Sequence, residues 1–237
     1  MLLQEDDKTK LRSILYDFID LNCLWRANPD KVYFEGLPPG KTYGKNIKSL
    51  NTHQFFLRNL THNPIMVSYA CMLIADRIIT SIQEKREYSR FQFAGLETSS
   101  IPLISALQQY FMNLGEHSIP INSFIVRKER KDYGLFNLID GIPEPNVPVM
   151  YIDDLINKAS TISKVHYAIH YEFGLTPTKN LYTIMQMRDL NLLKIDDNDI
   201  VINSLFNKHE FDVTYNEDKY WYPQDCTLDV NKKPDYR

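Results

Sequence analysis

The sequence predicts an α/β protein whose core is a parallel β-sheet flanked by helices, and two observations predict it. The first is Val149-Met150-Tyr151-Ile152, a continuous apolar run of the kind required by a strand buried on both faces. It is followed at once by Asp153 and Asp154 and then by a short polar turn entering a helix. The second is the alternation of short apolar segments with helix-length amphipathic ones between residues 91 and 185. Such alternation implies βαβ crossovers. Ligands of open α/β sheets sit beyond the carboxyl ends of the strands, where the two aspartates are expected to fall.

Taken in order, Leu11, Ile14, Leu15, Phe18 and Ile19 recur at helical spacing, predicting an amphipathic helix over 8–21 that Asn28-Pro29 breaks. Residues 32–37 read as a strand closed by a Pro38-Pro39-Gly40 turn. Pro64 is well placed in the first turn of a long helix reaching about residue 83. A strand over 91–94, a loop over 95–100 and a helix over 101–114 come next. They are followed by a strand over 122–126 and a long polar loop over 127–141. Strands over 147–152 and 181–185 bracket a helix over 160–173. After residue 191 the pattern dissolves into polar, acidic and aromatic residues. The expected organisation is therefore a domain over 1–190 and an extension over 191–237, packed on the core or binding a partner.

Composition bounds the function classes. With 237 residues, 43% apolar and 24% charged, the chain has ordinary globular character. A net charge of −3 gives no global reason to expect nucleic acid or an anionic membrane as partner. Cys23, Cys71 and Cys226 are scattered, as free thiols of a reducing compartment would be. The acidic MLLQEDDKTK start lacks a secretory pattern, and Asp76 and Arg77 interrupt the most apolar stretch. A cytoplasmic protein without a membrane anchor is the expectation.

Three segments at predicted strand ends carry candidate chemistry. Gly95-Leu96-Glu97-Thr98-Ser99-Ser100 leads small and hydroxyl residues into a helix. That suits an anion-binding turn, although a capped helix start reads the same way. Arg127-Lys128-Glu129-Arg130-Lys131-Asp132-Tyr133-Gly134 places four cations in five positions after a strand. It could neutralise a polyanion or form a solvated loop. Asp153 and Asp154, with Asn157, Lys158, Ala159, Ser160 and Thr161, combine acids for ribose hydroxyls or Mg²⁺ with amides and hydroxyls for a phosphate.

In this order, AGLETSSIPL, FIVRKERKDYG and VMYIDDLINKAST resemble the pyrophosphate loop, catalytic loop and PRPP-binding motif of the type I phosphoribosyltransferases, orotate branch. VYFEGLPPGKTYGKN is similar to that branch's N-terminal hood strand. The resemblance spans about residues 8–174 and implies a hood over about 22–60. It implies a Mg²⁺–PRPP substrate, a nucleobase acceptor, pyrophosphate release and a homodimer. Carried over by position, Asp153 and Asp154 would bind the ribose hydroxyls and, largely through substrate, Mg²⁺. Asn157, Lys158, Ala159, Ser160 and Thr161 would hold the 5′-phosphate, and Gly95, Glu97, Thr98 and Ser99 would touch pyrophosphate. Arg127, Lys128 and Lys131 would neutralise the leaving group, beside Tyr133. Lys41 would lie near the base and pyrophosphate.

The chain also departs from the family. Lys158 and Ala159 stand where small residues and a glycine are usual, Tyr133 where histidine is usual, and Ser99-Ser100 where glycine is common. These changes all touch phosphate-binding segments, and they keep a second reading open: a catalytically silent PRPP- or nucleotide-binding regulatory or interaction protein. His166 and His170 have a spacing that can bind metal, but packing or surface roles suit them better. Tyr215, Tyr220, Trp221 and Tyr222 could stack bases, yet no basic stripe accompanies them.

Overall fold

The computed structural model describes residues 2–33, 37–43, 50–85, 90–115, 119–127, 138–157, 160–188, 191–195, 198–211 and 213. The N-terminal helix α1 (Glu5–Phe18) carries Glu5, Asp6 and Asp7 in its first turn, where acids complement the helix dipole. It runs into a π-helical turn, Ile19–Cys23, and stops there, short of the Asn28-Pro29 break the sequence suggests. The reason is pairing: β1 (Leu24–Arg26) joins β4 (His53–Phe55) as an antiparallel pair. A second small pair, β2 (Thr42–Tyr43) with β3 (Leu50–Asn51), lies between them in sequence. The strand expected over 32–37 is not formed at its described residues. Instead the Gly40 N–H closes onto the Lys31 carbonyl at 2.9 Å, with Gly40 at φ +71°.

A short helix α2 (Arg58–Thr61) leads to the long α3 (Pro64–Lys85). Asn63 caps α3, its Oδ1 accepting from the N–H groups of Ile65 and Met66 at 3.1 Å. By length and composition α3 could cross a membrane. Here it packs on α1 and on α4 (Ser100–Met112), burying Ala70, Ile74, Ala75 and Ile78. Asp76 ties it to α1, accepting from the Leu3 N–H and the Lys8 ammonium, each at 2.8 Å.

The core is a seven-stranded sheet. Its strands are β5 (Gln92–Leu96), β6 (Ser123–Val126), β7 (Ile139–Asp140), β8 (Val149–Ile156), β9 (Pro177–Gln186), β10 (Leu192–Ile195) and β11 (Asn198–Asn207). The order is β10-β11-β9-β8-β5-β6-β7. The inner pairs β5–β6, β5–β8, β8–β9 and β9–β11 are parallel, as the alternation predicts. Both edges are closed by antiparallel strands, β7 and β10.

Helices cover both faces. On one, α3 and α4 pack with Phe93, Met150 and Ile152. On the other, α5 (Ser160–Tyr167) packs Ile162 and Val165 onto Val149 and Tyr151. Two-sided burial explains why β8 reads as an unbroken apolar run.

The sequence places residues 192–211 in an extension packed on the core or binding a partner, with no periodic pattern to mark strands. These residues form β10 and β11, which extend the sheet, and β11 runs parallel to β9 through Val201↔Asn180 to Asn207↔Gln186. A 3₁₀ turn, Lys208–Phe211, then returns to α1. Phe211 is fully buried and stacks on Tyr16 at 4.6 Å between centroids. The Phe206 and Phe55 rings close around it at 5.7 and 5.6 Å.

Candidate active site

The chain enters β5 and β8 side by side but leaves them in opposite directions. From β5 the path through α4 reaches β6, and from β8 the path through α5 reaches β9 on the other side. The β5–β8 boundary is therefore a topological switch point, where an open sheet parts at its carboxyl end to form a ligand crevice. The β5–β8 ladder ends at Ala94↔Tyr151.

Gly95 makes the crevice this tight. A Cβ there would collide with Ser100 and lie 2.7 Å from the Ile152 carbonyl oxygen, so only glycine permits the approach. The turn Glu97–Thr98–Ser99 follows, and its Glu97–Thr98 peptide is cis. The Glu97 N–H donates to the Val126 carbonyl at 2.8 Å, and Ser100 Oγ donates back to the Leu96 carbonyl at 2.8 Å.

Asp153 and Asp154 sit within β8 rather than beyond it, correcting the expected strand end at residue 152. Pairing with β9 carries the strand on through Leu155↔Met185 and Ile156↔Gln186. Asp153 still reaches the crevice, through its contact with Ser99, and Asp154 follows it on the strand after the pairing with β5 has stopped. Asp153 is 2% exposed and Asp154 8%. Asp153 Oδ1 accepts from Ser99 Oγ at 3.4 Å and from the Asp154 N–H at 3.0 Å, while Asp154 Oδ1 accepts from the Leu155 N–H at 2.9 Å. Burial, and then the adjacent Asp154 charge, hold the Asp153 carboxyl well above the usual carboxylate range. Such a site gains most from hydroxyl donors or a cation that restore the ionised form.

The other candidates divide clearly. Gly95, Ser99 and Asp153 meet at the crevice, Glu97 and Thr98 lie in the turn between them, and Asp154 follows Asp153 on β8. Asn157 is exposed just after β8, and Thr161 lies in the first turn of α5, which Ser160 begins. Arg127 follows β6 beside the turn, its N–H on the Leu138 carbonyl at 2.8 Å, and its guanidinium is ion-paired with Asp140 of β7. Lys41 precedes β2 in the N-terminal segment. Lys128, Lys131, Tyr133, Lys158 and Ala159 fall outside the described residues. The spacing of His166 and His170 does not lead to a metal cluster among the described residues. His166 is instead buried with its Nδ1 against the Tyr151 hydroxyl at 2.6 Å.

Sequence reasoning missed Arg58. Its Nη2 donates to Thr98 Oγ1 at 3.3 Å, so α2 reaches the β5–α4 turn across 40 residues of chain. A lone arginine after an apolar stretch carries no local signal of this contact.

A mixed sheet that is parallel at its centre, with helices on both faces and a small N-terminal β segment, has the type I phosphoribosyltransferase fold, to which solved structures are similar. One of these, Mycobacterium tuberculosis orotate phosphoribosyltransferase, matches at a TM-score of 0.60 and 15% identity, covering 86% of this chain and 99% of that one. The same enzyme in complex with PRPP matches at 0.53 and 13%, covering 88% and 93%. Within that class, similarity points to the orotate branch. Orotate phosphoribosyltransferase of Leptospira biflexa is 23% identical over 159 residues, covering 67% of this chain and 81% of its own length. Uridine 5′-monophosphate synthase of Caenorhabditis elegans is 26% identical over 139 residues, 57% of this chain, and the match spans only 25% of that relative. No protein-family model matches the chain.

Proposed function

We propose that this protein is a PRPP- and Mg²⁺-dependent phosphoribosyltransferase that transfers ribose 5-phosphate to a nucleobase and releases pyrophosphate, in the manner of the orotate phosphoribosyltransferases it resembles. The observation that carries the reading is the pair of buried acids at the β5–β8 switch point, of which Asp153 is hydrogen-bonded by Ser99 of the turn that precedes α4. Buried acids that form no ion pair among the described residues are costly to the fold, and ribose hydroxyls are donors that would satisfy them.

The proposed chemistry gives each residue the role that the family resemblance implies. Asp153 and Asp154 accept from the ribose hydroxyls and fix the sugar. The N-terminus of α5, with Asn157, Lys158, Ala159, Ser160 and Thr161, receives the 5′-phosphate at the positive end of the helix dipole. The bond from C1 to pyrophosphate oxygen breaks ahead of the new bond from a nucleobase nitrogen to C1, so the ribose gains cationic character as pyrophosphate departs with the bonding pair. Catalysis then depends on stabilising departing negative charge, the role assigned to Arg127, Lys128 and Lys131. Removing one preorganised group of this kind costs on the order of 10²–10³ in rate.

The donor set fits Mg²⁺, since Asp153 and Asp154 offer hard oxygen ligands. Two carboxylates do not complete a shell, and no third His, Cys, Asp or Glu joins them among the described residues, so the remaining ligands would come from substrate oxygens and water. When bound, the ion would neutralise pyrophosphate charge. A cytoplasmic homodimer and a nucleobase acceptor of the orotate type belong to the same proposal.

Calorimetric titration with Mg²⁺–PRPP tests it, with Asp153→Asn as control. Saturable binding that is lost in the control, with pyrophosphate release on adding orotate or another base, is the expected result. Lys131→Ala should then abolish turnover while leaving PRPP binding largely intact. Binding without release across a panel of bases would favour the silent binding module that Lys158 and Ala159 suggest. No binding would remove the ribose-phosphate reading altogether.

A further inference from the structure

The turn that the phosphoribosyltransferase reading assigns to pyrophosphate is electrostatically wrong for it when taken alone. Glu97-Thr98-Ser99-Ser100 holds two serines, a threonine and an acid, but no cation. A pyrophosphate brought against it needs positive charge from another element. Arg127 lies beyond β6, with its guanidinium engaged by Asp140. We propose that Arg58, on α2, is a further cation that binds the pyrophosphate of PRPP at this turn, in addition to the charges assigned above to Arg127, Lys128 and Lys131. This assignment rests on the phosphoribosyltransferase reading above.

The geometry supports it in three ways. First, Arg58 Nη2 already donates to Thr98 Oγ1 at 3.3 Å, so the guanidinium lies against the turn itself. Second, the backbone that carries Arg58 is anchored. The Arg58 carbonyl accepts from the His62 N–H and from His62 Nδ1, each at 2.9 Å, while neighbouring Asn59 donates to the Asn22 carbonyl at 2.6 Å. Third, the guanidinium is available. Arg58 is exposed, forms no carboxylate pair among the described residues, and borders a shallow, open surface depression with Asn59, His62, Asn63 and Pro64. An arginine has five N–H donors in a planar fork, and a single bond to a hydroxyl leaves a face free to grip phosphate oxygens in bidentate fashion. The charge that the turn lacks in sequence thus arrives from a segment that the fold brings alongside it.

The test is calorimetric titration of the full-length protein and of Arg58→Gln and Arg58→Lys with three probes: Mg²⁺–PRPP, Mg²⁺–pyrophosphate and ribose 5-phosphate. Arg58→Gln should weaken the two pyrophosphate-bearing probes on the order of tenfold to a hundredfold, as expected for loss of charge-assisted bonds, and leave ribose 5-phosphate unchanged. Arg58→Lys should recover part of the loss. Unaltered PRPP and pyrophosphate affinity in Arg58→Gln would overturn the assignment. Equal weakening of all three probes would overturn it too, showing that Arg58 only supports the fold. Failure of the unsubstituted protein to bind any probe is a different result: it would refute the phosphoribosyltransferase reading itself, and this assignment with it.

Discussion

Replacing Gly95 with alanine tests whether the β5–β8 crevice is as closely fitted as its geometry requires. The new Cβ would lie 2.7 Å from the Ile152 carbonyl oxygen, about 0.7 Å inside the 3.4 Å at which ordinary contact begins, and closer still to Ser100. One of the two obstacles is strand backbone, so it cannot swing aside as a long side chain would. Overpacking of this kind costs about 1–3 kcal/mol. For a chain of this size that corresponds to a fall in Tm of roughly 2–12 °C. The displacement also falls on the site: Ile152 precedes Asp153, and Ser100 follows Ser99, so the 3.4 Å Ser99–Asp153 contact must change. Thermal melts paired with Mg²⁺–PRPP calorimetry would register both effects. Gly115→Ala is the control: its Cβ meets nothing within 4 Å, and φ +63° makes its cost purely conformational, about 1–2 kcal/mol. That variant should lose stability without losing affinity. A Gly95→Ala protein that melts and binds like the parent would refute the steric account.

Three further outcomes are expected. Because the folded state holds the Asp153 carboxyl above its unfolded value near 4, the native protein binds the extra proton, and stability falls as pH rises above about 4. Without ligand, Asp153→Asn should therefore melt higher than the parent at pH 7, with the gap closing towards pH 4; equal melting at both pH values would contradict the burial argument. Tyr151→Phe removes the 2.6 Å partner of a buried histidine and should lower stability by about 1–3 kcal/mol in urea, whereas a neutral result would mean that His166 is satisfied by other groups. Phe211→Ala removes a fully buried ring stacked on Tyr16 and should cost about 3–5 kcal/mol; a loss below about 0.5 kcal/mol would show that the 208–211 turn is not part of the core.

Much of the fold was legible because its strongest signals are local. The apolar run of β8, the Pro64 helix start and the order of the three phosphate-type segments need no knowledge of distant contacts. The extent of β8 was not legible. Asp153 and Asp154 look like the end of a strand, since charged residues rarely continue a buried run, and only pairing with β9 carries the strand to Ile156. The same holds for β10 and β11, whose mixed polar pattern is tolerated because β11 lies against β9 and only part of its surface meets the core.

The site divides along the same line. Residues contiguous in sequence, Gly95 to Ser99 and Asp153 to Thr161, announced themselves because each segment must by itself form a turn or a helix start. Arg58 did not, because its contact with Thr98 spans 40 residues and depends on where α2 is set down. The sequence by itself determined the class of fold, the two acids and the turns that could hold phosphate, since backbone geometry and burial periodicity are written locally. Only the tertiary structure decided which charges meet, because the energy of a cation near a turn depends on distance and on the water excluded between them, and neither has a counterpart along the chain.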